Sequence, residues 1–141
     1  MGLYMGNDVL YNKIDIIERC IMRIREVYDS NPDTLRDYTK QDSMVLNIQR
    51  AIEAAIDIGM FIISDQKLGI PQNSRDAFQV LYNNGILGKE LLEKLKKMVG
   101  FRNIAVHNYQ KLNIEILQAI IEEHLDDLKE FIVFIAKSSN N

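Results

Sequence analysis

From Val9 to Ile135, apolar residues return at every third or fourth position, and no stretch alternates apolar and polar one by one. Three-to-four spacing lines up side chains on one face of a helix, whereas a half-buried strand needs a period of two. This pattern restricts the chain to helices packed on helices. The punctuation divides it. Asn7 or Asp8 caps a first helix whose stripe is Val9, Leu10, Ile14, Ile17, Ile21, Ile24 and Tyr28. Asp29 to Asp33 forms a turn, because Pro32 drives Asn31 out of helical geometry. Thr39 with Asp42 reads as a capping pair opening a longer helix through Val45, Ile48, Ile52, Ala55, Ile56, Gly59, Ile62 and Ile63. Gly69 stops that helix and Pro71 keeps it from resuming.

Asn73 or Ser74 caps a short helix through Ala77, Phe78, Leu81 and Tyr82, closed by Asn84-Gly85 in a left-handed terminus. Gly88 opens a fourth segment striped by Leu91, Leu92, Leu95, Met98 and Val99, and the pattern runs on to about His107. Gly100 sits inside it at a cost of about 1 kcal/mol relative to alanine, as a residue that permits a bend or a close approach. Asn113 caps a final helix with Ile114, Leu117, Ile120, Ile121, Leu125, Leu128, Phe131, Ile132 and Ile135. The expected fold is all-α: an up-down bundle of four main helices plus a short accessory helix. It is expected as one domain over residues 1–141, frayed at about 1–6 and 138–141.

An apolar fraction of 47% and a charged fraction of 26% suit a globular protein that buries its own core. The run from Ile56 to Ile63 is broken by Asp57 and Gly59 and is too short to span a bilayer, and no signal peptide is legible. The lone cysteine, Cys20, falls on the apolar stripe and excludes an internal disulfide, which fits a reducing cytoplasm. A net charge of −3 argues against a general nucleic-acid coat, yet the charge is uneven. Lys89 to Lys111 holds six basic residues against two acidic, while Leu112 to Asn141 holds six acidic against two basic.

Most familiar chemistries lack their residues. No Cys/His cluster, glycine-rich phosphate loop or nucleophile–histidine element is present. His124, among Glu122, Glu123, Asp126 and Asp127, reads as a solvated surface histidine. Tyr4, Tyr11, Tyr28, Tyr38 and Tyr82 do not interleave with lysines and read as core or interface residues. What remains is Phe101 to Tyr109, which sets Arg102, His107 and Tyr109 around the apolar Phe101, Ile104, Ala105 and Val106. A guanidinium holds phosphate through paired hydrogen bonds, and an imidazole gives and takes protons near neutrality. On a straight helix Arg102 and Tyr109 share a face, while His107 lies roughly 140° round from Arg102. The three converge only if the helix bends or ends near His107, or if a two-fold interface brings two copies together.

Arg102-Asn103-x-x-x-His107 resembles the signature of the HEPN superfamily, and the extension to Tyr109 resembles the Arg-x4-His-x-Tyr form of the HepT-like toxins. Length, helix order and late motif placement agree along nearly the whole chain. The resemblance implies a metal-independent endoribonuclease without a cofactor, active as a homodimer with its cleft at the two-fold interface. It implies a nucleotidyltransferase antitoxin as partner, which adenylylates the tyrosine. Carried over residue by residue, Arg102 and His107 are catalytic, Asn103 is supporting, and Tyr109 is the modified residue. RNA brings its own nucleophile, the 2′-hydroxyl. His107 would move its proton or the leaving group's, and Arg102 would hold the phosphate. Two other readings compete: a non-catalytic helical partner that binds a nucleotide or docks a nucleotidyltransferase, and a dimeric bundle whose motif makes only interface hydrogen bonds.

Overall fold

The computed structural model describes residues 2–139. Its helices are α1 (Gly2–Tyr28), α2 (Tyr38–Gln66), α3 (Ser74–Asn83), α4 (Lys89–His107), α5 (Ile114–Ala119) and α6 (Leu125–Ser139). A wider π turn, Ile120–His124, joins α5 to α6 as one rod, so the long units number four and α3 is the accessory. The expected all-α bundle is therefore what forms. Short 3-10 turns at Pro32–Arg36 and Tyr109–Lys111 flank α2 and follow α4.

α1 and α2 lie along each other, antiparallel, with Lys13 paired to Asp57 at 2.8 Å. Their seam buries Ile17, Ile21 and Ile24 against Ile48, Ile52 and Ile58. α3 and the last rod close the other side, where Phe78 meets Phe131 edge-on at 5.6 Å, a favoured aromatic geometry. Cys20 is buried in this core and burial pushes its thiol pKa up, opposed by nearby Arg50, so it packs as a small apolar residue. Among the described residues, no helix is long and apolar enough to cross a membrane.

Several terminators act as expected. Asn73 accepts from the Asp76 amide and Asn113 from the Glu115 and Ile116 amides. Gly85 takes a left-handed φ of 76° after α3, and Gly88 caps α4. Others differ. α1 already begins at Gly2, so Asn7 and Asp8 lie within it; the Asn7 side chain is outside the described residues. α2 is capped by Asp37, which accepts from the Lys40 amide, and not by Thr39 with Asp42. The Pro32–Arg36 turn delivers the chain extended at Asp37, so the helix starts before the capping pattern is reached. Lys67, not Gly69, makes the left-handed stop of α2, with the Leu68 amide returning to the Ile63 carbonyl. At the far end α6 continues through Ser139, and the expected fraying of 140–141 lies outside the described residues.

The acidic face of the last rod is largely tied down. Tyr28 donates its hydroxyl to Glu122, and Arg25 pairs with Asp126 at 2.9 Å. His124, expected to be solvated, is half-buried with Nδ1 at 2.9 Å from buried Asp127, which also faces Lys94 at 3.8 Å. Of the other tyrosines, Tyr82 packs on the core, Tyr11 and Tyr38 are exposed, and the Tyr4 side chain is outside the described residues.

Candidate functional site

The final two turns of α4 carry the motif. Phe101 and Ala105 point into the core, which fixes the rotation of the helix and sends its polar neighbours elsewhere. Arg102 lies largely covered. Its Nη2 donates to the Ser74 hydroxyl at 3.1 Å, and Nη1 stands 3.8 Å from the Glu53 carboxylate. Its Nε is buried without a hydrogen-bond partner, a costly arrangement that structural arginines usually avoid. The expected role of Gly100 also becomes concrete. A Cβ there would sit 2.8 Å from Nη2 of Arg75, so the bare backbone lets that guanidinium lie against α4, where its Nε donates to the Lys96 carbonyl at 3.3 Å. Arg75 has no carboxylate partner among the described residues. Asn103 is half-buried beside Arg102 on the same helix.

α4 ends at His107, whose side chain is exposed, as are Ile104 and Val106 before it. Asn108 leaves helical geometry and the chain tightens into the Tyr109–Lys111 turn, with the Leu112 amide bonded to the Tyr109 carbonyl. This turn swings Tyr109 onto the N-terminal end of α2. There its hydroxyl donates to the Asp42 carboxylate, with Gln41 Oε1 at 3.5 Å. Burial first, then the hydrogen bond to Asp42 and its charge, push the Tyr109 phenol up to about 12.

The motif is thus divided. Arg102 is anchored at Glu53 and Tyr109 at Asp42; eleven residues on α2 separate these anchors by about 16 Å. His107 is the exposed last residue of α4, and the helix runs unbroken from Arg102 to His107, which sets the two on different faces. One copy does not bring the three groups together. Glu53 also lines an open groove between α1 and α2 whose basic rim includes Lys13, Arg19, Arg23 and Arg50. Glu53, Ser74, Arg75 and Asp42 are absent from any local pattern of function. Ser74 and Asp42 stand out in sequence only as cap candidates. Among the described residues, no three His, Cys, Asp or Glu side chains gather as a metal site.

Known proteins place the chain. It is 50% identical over 126 residues to the mRNA nuclease HepT of Shewanella oneidensis, an alignment covering 89% of this chain and 95% of that one. The structure of a tri-AMPylated Shewanella oneidensis HEPN toxin in complex with its MNT antitoxin superposes with a TM-score of 0.88 at 48% identity, covering 92% of this chain and 98% of the other. A cytosolic protein of unknown function from Bacillus subtilis, YutE, shares the fold at 18% identity, with a TM-score of 0.80 over 94% of this chain and 89% of that one. The family model described as Ribonuclease HepT-like matches residues 17–135, from the middle of α1 into the last turns of α6. With its helix order and its Arg102-x4-His107-x-Tyr109 motif in place, the chain belongs to the HepT-like ribonucleases of the HEPN superfamily.

Proposed function

We propose that this chain is the endoribonuclease toxin of a toxin–antitoxin pair, cytoplasmic, a single HEPN-like domain over its length, and active as a homodimer on RNA. The observation that carries the reading is the divided motif. A guanidinium fixed by Ser74 and Glu53 and an exposed imidazole at a helix end are each presented, yet they do not face each other within one copy. Two copies related by a two-fold axis supply what one lacks.

In the reaction the 2′-oxygen attacks the adjacent phosphorus, and the bond to the 5′-oxygen breaks, leaving a 2′,3′-cyclic phosphate and a 5′-hydroxyl. His107 takes the 2′-proton and gives a proton back to the leaving oxygen. Arg102 holds the phosphate and stabilises the charge growing on its non-bridging oxygens, and Asn103 supports its position. The nucleophile belongs to the substrate, so the residues suffice without a bound metal. Silencing falls to Tyr109. A nucleotidyltransferase antitoxin adenylylates it, and the added phosphate and nucleoside repel and block incoming RNA.

The test is cleavage of RNA in the presence of EDTA by purified protein. Arg102→Ala and His107→Ala should each lower the rate by about 100-fold or more, with an unchanged helical spectrum. Cleavage at the full rate in either variant removes that residue from its role. Nucleotide binding without any RNA cleavage would favour the docking-partner reading instead.

A further inference from the structure

We propose that Asp42 is the catalytic base of Tyr109 adenylylation, supplied by the toxin to the reaction that silences it. The inference rests on the reading of Tyr109 as the modified residue. Three observations carry it. Asp42 is released from the task its position suggests, because Asp37 caps α2. No lysine or arginine pairs with Asp42 among the described residues; its side-chain partner is the Tyr109 hydroxyl. The other group at that oxygen, Gln41 Oε1 at 3.5 Å, is also an acceptor, so the hydroxyl hydrogen is committed to Asp42 and the oxygen lone pairs are left for an electrophile.

The reaction needs such a group. With its phenol held up to about 12, Tyr109 carries its proton at neutral pH in all but roughly one molecule in 10⁴ to 10⁵. A preformed phenolate is therefore scarce, and the proton must leave as the bond forms. The phenol oxygen attacks the α-phosphorus of ATP held by the nucleotidyltransferase. The new O–P bond forms, the bond between the α-phosphorus and the bridging oxygen breaks, and pyrophosphate departs. The proton passes to the Asp42 carboxylate and then to solvent. Tyr109 is 38% exposed at the end of a short turn, open enough for a nucleotide carried by another protein.

The experiment incubates the full chain with its cognate nucleotidyltransferase, ATP and Mg²⁺, and follows mass gain at Tyr109 with time, between about pH 6.5 and 9.5. The wild-type rate should be nearly flat with pH. Asp42→Asn should be slower by about 30-fold or more near pH 7 and climb about tenfold per pH unit, as hydroxide replaces the lost base; Asp42→Glu should restore a flat profile. Loss of hydrogen-bond positioning alone would lower the rate without creating that slope. A flat Asp42→Asn profile at the wild-type rate overturns the inference and leaves Tyr109 as the modified residue. A wild-type chain that gains no mass at Tyr109 overturns the modification reading itself, and the inference with it.

Discussion

Arg102 shows how much of a proposed catalytic residue's placement is set by groups far from it in sequence. Its guanidinium reaches Ser74 and Glu53, 28 and 49 positions away, and no spacing rule in the motif names either one. Glu53 is partly exposed, so its ion pair contributes little to folding, on the order of 0–1 kcal/mol. Its effect on the proposed reaction should be larger, because a phosphate clamp, the role proposed for Arg102, works only when held in place. Glu53→Gln is therefore expected to lower RNA cleavage by about 3- to 10-fold through kcat while the melting temperature moves by no more than a few degrees. An unchanged kcat would show that Ser74 alone suffices to aim Arg102. The motif that nominates Arg102 and His107 for the proposed chemistry is legible from residue types alone; the residues that hold Arg102 are not, since they come from other helices.

At the scale of elements, caps with a local cause are readable and those set by an incoming turn are not. Asn73, Gly85, Gly88 and Asn113 act where the sequence puts them. Asp37 takes precedence over Thr39 because the preceding turn decides where helical geometry starts. The π turn at Ile120–His124 has no such local signal: adjacent buried pairs also occur on regular helix, as Leu91 and Leu92 do on α4. That rod is fastened to α1 by Tyr28, whose phenol is raised to about 12 by burial first and then by Glu122. Its folded value exceeds the ordinary value of about 10, so the bond contributes stability below pH 10 and loses it as pH rises toward 12. Tyr28→Phe should accordingly be less stable than wild type near pH 8, with the gap in melting temperature narrowing between about pH 10 and 12. A gap that stays constant across that window would detach the hydroxyl from the stability of the rod.

For the whole molecule, the proposed homodimer raises the issue of which copy supplies which group. Arg102 is anchored sideways to α2 and α3, while His107 leaves from the end of α4 beside the exposed Ile104 and Val106. An exposed apolar pair next to the proposed proton-transfer group suits the proposed contact with a second copy, with the acidic last rod tied back by Arg25 and Tyr28 on its own protomer. If Arg102 of one copy meets His107 of the other, two inactive variants complement each other. Arg102→Ala and His107→Ala chains refolded together in equal amounts give about half heterodimers, and each heterodimer keeps one of its two composite sites intact. The mixture should then recover about a quarter of the wild-type cleavage rate, where either variant alone recovers none. A mixture as inactive as its components, with heterodimers demonstrated by mass, would mean that both groups must act within one copy. The α4 helix would then have to unwind between Arg102 and His107 when RNA binds.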